Sequence, residues 1–269
     1  MLGYTGKEDV YSVERFSGFA DVYNAARPRP PVKTCEIITA MMNGKRVGTV
    51  VDLGCGTGLS TAIWKDRADT VIGIEPNDDM RNEAIIHNPE ITFIKADSYR
   101  TGMEEKSADV VVCSQSFHWM EPTATLNEIG RILKPDGVLA ILDCDWPVTI
   151  SKDAEIAYIE LFETLDGLYR EHSGTLPAVM KWPKTGHLKN LRKSKLFRYC
   201  KEICFDNLER CDSGRFIDLA LSQGQLQTLL RHGIDGVEEA IRRFKEAVRK
   251  DIREEKNMYV SYRLILGMK

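Results

Sequence analysis

The chain has 269 residues, 43% of them hydrophobic and 29% charged, a composition typical of a soluble globular protein with one large domain or a domain that carries an insertion. A formal net charge of −3 argues against a broad nucleic-acid-binding surface, and no apolar run is long enough to cross a membrane. The N-terminus lacks the apolar core of a signal peptide, and the seven cysteines include no C-x-x-C pair, so we expect a cytoplasmic protein without a disulfide framework or a zinc ribbon.

The first predicted elements are a helix and a buried strand. Residues 31–44 carry apolar side chains at helical spacing and end at Gly44, which predicts a helix packed under the sheet. The mostly apolar run over residues 47–53 then predicts a strand that is buried in that sheet.

Three alternating glycines, Gly54, Gly56 and Gly58, follow this strand and precede a helix-compatible segment over residues 59–66. Glycines let the backbone approach a ligand closely, and a helix start offers free N–H groups, so the pattern indicates a nucleotide-type site. The spacing G-x-G-x-G differs from the G-x-G-x-x-G of dinucleotide-binding turns, which argues against a NAD-dependent oxidoreductase. The alternative is an ordinary strand-to-helix turn of another α/β protein.

The run VVDLGCGTG over residues 50–58 resembles the first motif of the class I S-adenosylmethionine (SAM)-dependent methyltransferases, of the methyltransferase type 11 and trans-aconitate methyltransferase-like kind. The resemblance covers residues 10–143. It implies an α/β, Rossmann-like fold with a seven-stranded, mostly parallel sheet, an antiparallel last strand and a helical cap insertion. It also implies SAM as the cofactor and S-adenosylhomocysteine as the product, with a cofactor loop formed by Asp52, Gly54, Cys55, Gly56 and Gly58.

The second predicted strand, residues 70–75, ends in Glu75, about 20 residues beyond the glycine loop. A carboxylate at this distance suits a ribose because it accepts hydrogen bonds from two hydroxyls, and a solvated strand end is the alternative. The resemblance places Pro76 and Met80 near the adenine, with core packing as the alternative for Met80. It further implies that Asp97, after the third strand, bonds the adenine amino group with Ser98 beside the ring; a turn cap is the alternative for Asp97.

A near-continuous apolar run over residues 108–114 is typical of a parallel strand that is buried on both faces. It leads into a Phe-His-Trp sequence at the sheet edge where open α/β folds bind ligands. The resembled family often has a similar sequence here, and the resemblance puts Ser114 and Gln115 beside the methionine end of SAM. His118 is the first candidate to orient a substrate carboxylate or to act as a base, and Tyr11 is the second candidate base. A structural histidine is the alternative for His118.

Residues 16–28 form an aromatic-rich stretch ending in Arg27-Pro28 that resembles the N-terminal lid of small-molecule methyltransferases. Such a lid would exclude water from the sulfonium, and Arg27 would meet the cofactor carboxylate; the alternative is an amphipathic helix with Arg27 on its surface.

We expect the chain to divide into four parts. They are a lid with the first helix (1–46), a SAM-binding core (47–145), a helical cap for substrate selection (146–197) and the C-terminal part of the core (198–269).

Two acidic residues and a basic segment lie beyond the fifth predicted strand, residues 138–142. Asp143 and Asp145 could bind Mg²⁺, but we expect them to line a substrate site or to face solvent, and we predict no metal. The basic segment, residues 181–198, holds seven Lys or Arg and no acidic residue, which indicates either attraction of an anionic substrate or a solvated surface.

The C-terminal part returns to regular structure. Residues 197–205 predict a sixth strand, and residues 210–233 predict a helix broken near Gly224. Residues 237–255 predict an amphipathic helix, and residues 258–266 predict a last strand.

Together these features predict methyl transfer from SAM to a small metabolite, anionic in character, at a carboxylate or hydroxyl group. A carboxylate acceptor needs no general base, whereas a hydroxyl or an amine would need one. An RNA or tRNA methyltransferase, favoured only by the basic segment, and a non-catalytic SAM-binding protein are the alternatives. The sequence does not indicate an oligomeric state.

Overall fold

The computed structural model describes residues 13–14, 17–18, 23–24, 26–177 and 179–269. These residues divide into two compact units. Unit 1 comprises the described residues up to Pro28 together with Asp145–Met180 and Asp206–Ser261, and unit 2 comprises Arg29–Cys144, Lys181–Phe205 and Tyr262–Lys269. None of the described helices is long and apolar enough to cross a membrane.

One sheet contains all the strands found in the described residues. They are β1 (Val47–Leu53), β2 (Ala68–Ile74), β3 (Thr92–Ile94), β4 (Ala108–Ser114), β5 (Leu133–Cys144), β6 (Tyr199–Cys211) and β7 (Lys256–Met268), in the spatial order β3-β2-β1-β4-β5-β7-β6. The neighbours from β3 to β5 pair in parallel, and β7 pairs antiparallel with β5. This confirms the predicted seven-stranded, mostly parallel sheet with an antiparallel last strand.

Helices connect these strands, as parallel pairing requires. In chain order they are α1 (Lys33–Met41), α2 (Leu59–Ala62), α3 (Asp78–His87), α4 (Pro122–Ile132), α5 (Lys152–Glu171), α6 (His187–Ser194), α7 (Ser213–Leu221), α8 (Gly224–Arg231) and α9 (Val237–Asp251). Capping residues fix several starts: the Asn77 side chain accepts from the backbone N–H of Met80 at the start of α3, and Glu121 accepts from two backbone N–H groups at the start of α4.

The centre of unit 2 is the apolar pairing of β1, β4 and β5. Val51 on β1 pairs with Val111 on β4, and Val111 pairs with Leu139 on β5; all three side chains are fully buried. A strand that is buried on both faces consists of a nearly continuous run of apolar residues. For this reason the first and last residues predicted for β1 and β4 agree with those in the structure. Because β1, β2, β4 and β5 are parallel, their carboxyl ends meet at one edge of the sheet.

Several element boundaries differ from the sequence prediction: the sixth strand, for example, runs to Cys211 rather than to residue 205, and two further differences lie at turns. The helix expected over residues 59–66 ends at Ala62, because a turn in which Ala68 donates to the Trp64 carbonyl leads directly into β2. The fifth strand begins at Leu133 rather than at Val138, and its pairing with β4 shifts register between Ala108 and Val110. Residues 135–137, whose Pro and Gly are typical of a turn, lie within this register shift, and Asp136 has left-handed backbone with φ 65°.

Unit 1 contains α5, α7, α8 and α9. The predicted amphipathic helix is α9, and Ile241, Phe244 and Val248, which recur at helical spacing on one of its faces, are all buried. The predicted break near Gly224 is confirmed, since α7 ends at Leu221 and α8 begins at Gly224.

Candidate active site

The glycine loop lies between β1 and α2 and uses three residues with left-handed backbone. Gly54, Gly56 and Gly58 have φ values of 65°, 55° and 83°. A Cβ on Gly54 would lie 2.7 Å from the Ser116 Cβ, and one on Gly58 would lie 2.9 Å from the Asn88 side-chain nitrogen, whereas a Cβ on Gly56 would meet nothing within 4 Å. The loop is therefore packed at both ends and open at its centre.

Asp52, at the end of β1, is hydrogen-bonded to two residues of α2. Its carboxylate is fully buried, and one oxygen, Oδ2, accepts from the Ser60 hydroxyl at 2.6 Å and from the Thr61 hydroxyl at 2.7 Å. Burial raises the pKa of Asp52 to about 6 against the opposing effect of the two hydroxyls. Asp52 thus holds the two elements that carry the glycine loop.

Glu75 joins the glycine loop to the segment after β2. Its Oε2 accepts from the backbone N–H of Gly56 at 2.9 Å, and its Oε1 accepts from the backbone N–H of Asn77 at 2.9 Å. The side chain is buried, and this burial raises its pKa to about 7 although both N–H groups favour the charged form. Each oxygen has a second lone pair, so the carboxylate can accept two further hydrogen bonds.

Unit 2 contains five further predicted cofactor residues, Cys55, Pro76, Met80, Asp97 and Ser98. Met80, in the first turn of α3, is buried, and Pro76 is half-buried. Asp97 is exposed and its carbonyl accepts from Arg100 in a turn, while the Ser98 hydroxyl lies 2.9 Å from that of Thr125. Cys55 is buried, and burial raises the pKa of its thiol, so it packs as an apolar side chain.

Ser114 ends β4, and Gln115 follows it with an unusual backbone. The φ of Gln115 is 54°, a left-handed conformation that is costly for a residue other than glycine and is typical of functional sites. Its side-chain Oε1 accepts from the Lys184 ammonium at 3.0 Å, and its Nε2 is buried without a hydrogen-bond partner.

His118 belongs to a buried polar cluster that the sequence did not reveal. The cluster consists of His118, Asp143, Lys184 and His187. The Nδ1 atom of His118 lies 3.5 Å from Asp143 Oδ1, His187 Nε2 lies 3.5 Å from Asp143 Oδ2, and the Lys184 ammonium lies 3.1 Å from Asp143 Oδ1. The predicted solvent-facing alternative for Asp143 is wrong, because its side chain is 4% exposed; Asp145, in contrast, is exposed.

Charges within the polar cluster balance. Burial alone would raise the pKa of Asp143, but the neighbouring His118 ring and the Lys184 ammonium hold it at about 2. Burial lowers the pKa of His118 to about 4 and also lowers that of His187. At neutral pH the cluster therefore contains one carboxylate, one ammonium and two neutral imidazoles.

Two imidazoles and a carboxylate are also a known set of metal ligands, and in His118, Asp143 and His187 the candidate ligand atoms lie within 4.8 Å of one another. The Lys184 ammonium, however, already lies against Asp143 and donates at 3.1 Å to the Cys144 carbonyl. A metal ion would have to displace this positive charge. We therefore describe the group as an ion-paired cluster of Asp143 and Lys184 flanked by two histidines, in which His118 Nδ1, Asp143 Oδ1 and both ring nitrogens of His187 make no hydrogen bond.

Two more predicted site residues are Arg27 and Tyr11. Arg27 belongs to unit 1, where its guanidinium contacts Ser222 and Gln223, and Tyr11 lies outside the described residues. In the basic segment every Lys and Arg except Lys184 is exposed, which matches a solvated surface. His187, in the middle of that segment, had no sequence signal except its apolar neighbours.

The sequence of this chain is similar to those of known methyltransferases. Residues 51–141 match the sequence profile of a methyltransferase domain. An uncharacterised methyltransferase of Schizosaccharomyces pombe is 27% identical over 215 residues, 78% of this chain and 78% of that protein. A methyltransferase-like protein of the same yeast is 27% identical over 161 residues, and the match spans 60% of this chain but only 59% of that relative.

Two solved structures share the fold. A candidate type II methyltransferase from Anaeromyxobacter dehalogenans superposes with a TM-score of 0.64 at 19% identity, covering 90% of this chain and 97% of that chain. Phosphoethanolamine N-methyltransferase 2 of Haemonchus contortus, solved with phosphomonomethylethanolamine and S-adenosylhomocysteine, gives a TM-score of 0.53 at 14% identity, covering 99% of this chain and 59% of that chain.

Proposed function

Because the chain belongs to the class I SAM-dependent methyltransferase family, with the Rossmann-like fold of that family, we propose that it transfers a methyl group from SAM to a small-molecule acceptor. One observation carries the proposal: the Glu75 carboxylate binds the Gly56 N–H at 2.9 Å beside the open centre of the glycine loop. A buried acid bonded to an open glycine turn can accept hydroxyl protons from a ribose that approaches the backbone closely.

The residues around the loop fit the parts of SAM. Glu75 would accept from the ribose hydroxyls, and exposed Asp97 would accept from the adenine amino group. The unpartnered Nε2 of Gln115 is a donor that suits the methionine carboxylate. The remaining contacts would come from residues at the same sheet edge, namely Asp52, Gly54, Cys55, Gly58, Pro76, Met80, Ser98 and Ser114. When bound, SAM supplies an electrophilic methyl group on a sulfonium.

His118 is the residue we assign to proton transfer, for an acceptor that reacts through a hydroxyl or an amine. Its Nδ1 faces the Asp143 carboxylate, which favours the tautomer with hydrogen on Nδ1 and leaves Nε2 as the basic atom. His118 Nε2 would take the proton of the acceptor's hydroxyl or amine, and the Asp143 charge would stabilise the imidazolium that forms. Because SAM would supply the methyl group on a positively charged sulfonium, the imidazolium would carry that positive charge after transfer and the total charge would be unchanged.

We expect the affinity for S-adenosylhomocysteine to depend on pH through Glu75. The carboxylate form accepts best from two hydroxyls, and the pKa of Glu75 in the ligand-free protein is about 7. Below that pH, binding must displace a proton, so the affinity should fall about tenfold per pH unit and level off above it. Calorimetric titrations from pH 5.5 to pH 8.5 measure this. Glu75→Gln should give a weak and flat profile, and a flat profile for the wild type would contradict the assignment.

We expect His118→Asn to lower kcat by roughly 100-fold or more, because proton transfer by a positioned side chain contributes about 10²–10⁴-fold. The affinity for S-adenosylhomocysteine should stay within about twofold, since His118 has no assigned cofactor contact. Turnover is measured as S-adenosylhomocysteine formation with an acceptor found by screening small hydroxy and amino compounds. His172→Asn, on the end of α5, is the matched control and should leave kcat unchanged. Normal kcat in His118→Asn would make His118 a structural residue.

A further inference from the structure

Four buried polar atoms of unit 2 lack hydrogen-bond partners and belong to one cluster. They are His118 Nδ1, Asp143 Oδ1 and both ring nitrogens of His187. The side chains of His118, Asp143 and His187 are 6%, 4% and 0% exposed. Buried polar atoms without partners are rare and costly, so this group calls for an explanation.

His187 is the hardest of the three to explain as a structural residue. Its ring is fully buried and packs edge-on against Phe117, with 5.0 Å between the ring centres. A phenylalanine at position 187 would make a similar packing contact without burying two polar atoms that have no partner. The imidazole therefore indicates a role for its ring nitrogens.

The cluster has the donor atoms of a transition-metal site. Two imidazoles with one carboxylate are a ligand set for zinc and for non-haem iron, and the candidate ligand atoms here lie within 4.8 Å of one another. Zinc bonds to nitrogen and oxygen are about 2.0–2.2 Å long, so two ligands of one ion lie at most about 4.4 Å apart and the group needs only a small contraction. Burial lowers the pKa of both His118 and His187, so neither ring must lose a proton to coordinate at pH 7.

The Lys184 ammonium is the cation that the cluster now holds. It lies 3.1 Å from Asp143 Oδ1, and it donates to Gln115 Oε1 at 3.0 Å and to the Cys144 carbonyl at 3.1 Å. The Lys184 side chain is 25% exposed and has a flexible stem, so its ammonium can move into solvent. An incoming ion would then replace one positive charge beside Asp143 with another.

We propose that His118, Asp143 and His187 bind a divalent transition-metal ion of the zinc type, in competition with the Lys184 ammonium. The proposal departs from the expectation, drawn from the sequence alone, that the chain binds no metal. The two nitrogen ligands favour such an ion over Mg²⁺, which prefers oxygen.

The consequence for catalysis rests on the proposed function. An ion coordinated by His118 Nδ1 leaves the ring hydrogen on Nε2, so Nε2 can no longer take the proton of a hydroxyl or an amine. Metal binding therefore inhibits methyl transfer to such an acceptor, and the Lys184 ammonium keeps the base available by competing for Asp143.

The test measures metal affinity and melting temperature on the full-length protein after treatment with a chelator. Zn²⁺ is titrated by calorimetry, and Mg²⁺ is the control ion. The variants are His187→Phe, which keeps a ring but no ligand atom, and Lys184→Met, which removes the competing charge. Lys193→Met removes an exposed charge of the basic segment and is the matched control, and Cys204→Ser removes an exposed thiol that is another zinc ligand.

We expect the wild type to bind one Zn²⁺ per chain, at least about 100-fold more tightly than Mg²⁺. Lys184→Met should bind Zn²⁺ at least about tenfold more tightly than the wild type, because the competing positive charge is gone. His187→Phe should bind it at least about tenfold more weakly, since one of three ligands is lost. Lys193→Met and Cys204→Ser should bind it normally.

Melting temperatures give a second measure of the same competition. An ion that binds the folded chain stabilises it, so Zn²⁺ should raise the melting temperature of the wild type, raise that of Lys184→Met further, and leave that of His187→Phe unchanged. Circular dichroism establishes that each variant is folded. His118→Asn replaces His187→Phe if the latter is not folded, and Lys184→Gln likewise replaces Lys184→Met.

Several results would overturn the inference. Equal Zn²⁺ affinity in the wild type and in His187→Phe would exclude His187 as a ligand, and loss of binding in Cys204→Ser would place the ion at a cysteine. Unchanged or weaker binding in Lys184→Met would exclude the competition, and failure of both the wild type and Lys184→Met to bind Zn²⁺ would exclude the site. Full turnover at saturating Zn²⁺ would refute the inhibition. Failure of the wild type to bind S-adenosylhomocysteine would instead refute the proposed function and leave the metal site standing.

Discussion

Glu75→Ala is expected to lower the affinity for S-adenosylhomocysteine by about 100-fold or more. Hydrogen bonds to a charged group contribute roughly 1.5–3 kcal/mol each, and about 1.4 kcal/mol corresponds to a factor of ten in affinity. The assigned role gives Glu75 two such bonds to the ribose. The substitution also removes the acceptor of the Gly56 N–H, so the open centre of the glycine loop loses its support. Calorimetric titration measures the change directly.

Two variants show whether this loss comes from the ribose contact. Glu75→Gln keeps the shape of the side chain and one acceptor oxygen, and we expect it to bind more tightly than Glu75→Ala but well below the wild type. Glu90→Ala removes an exposed carboxylate paired with Lys65 and should bind normally. Near-normal affinity in folded Glu75→Ala would remove Glu75 from the cofactor site.

Asp143→Ala is expected to destabilise the protein by about 3–5 kcal/mol, because it leaves the Lys184 ammonium without its buried counter-charge. The pair is 3.1 Å apart, and Asp143 is 4% and Lys184 25% exposed. The carboxylate is held charged, with a pKa of about 2, so its stabilising effect is complete above about pH 4 and disappears as the pH falls through 2. Chemical denaturation at pH 7 measures the loss.

A double-mutant cycle separates the ion pair from packing. Lys184→Met should also destabilise, since it leaves the buried Asp143 charge unpaired, and the combined variant should be less destabilised than the two single effects predict. Glu255→Ala, which breaks an exposed pair with Arg210, is the control and should change stability little. Additive effects of Asp143→Ala and Lys184→Met would show that the two groups do not interact.

The sequence predicted best what is local and periodic. Strands β1 and β4 were located to the residue because both are buried apolar runs with clear ends, and the break before α8 followed from Gly224. Boundaries were less accurate where turn and strand residues compete. Pro135 and Gly137 are typical of a turn, and Asp136 between them does have left-handed backbone with φ 65°, but Leu133 before them already pairs with Ala108 of β4, so β5 begins earlier than the turn residues indicate.

The polar cluster shows what a linear reading cannot provide. His118 attracted notice through its neighbours, but its partners lie far along the chain: Asp143 follows in the next strand, and His187 lies within the basic segment. Their contact depends on the parallel pairing of β4 and β5 and on how α6 packs, neither of which a motif encodes. Composition even misled here, since Lys184 was counted with a solvated surface although its ammonium contacts the buried Asp143.

The contacts of Arg27 in unit 1 also depend on residues that are distant in the sequence. The Arg-Pro pair resembles a lid signature, from which we expect Arg27 to meet the cofactor carboxylate, and this assignment stays a prediction. The hydrogen bonds of Arg27 to Ser222 and Gln223 join residues that are 195 and 196 positions apart, which no local sequence pattern encodes.

The most direct test of the central claim is a calorimetric titration of the purified protein with S-adenosylhomocysteine, with NAD as the parallel ligand. The account predicts one site per chain with micromolar affinity for S-adenosylhomocysteine, which weakens below pH 7, and no binding of NAD. Folded protein that fails to bind S-adenosylhomocysteine, or that binds NAD instead, would contradict the assignment of the glycine loop and Glu75 to SAM.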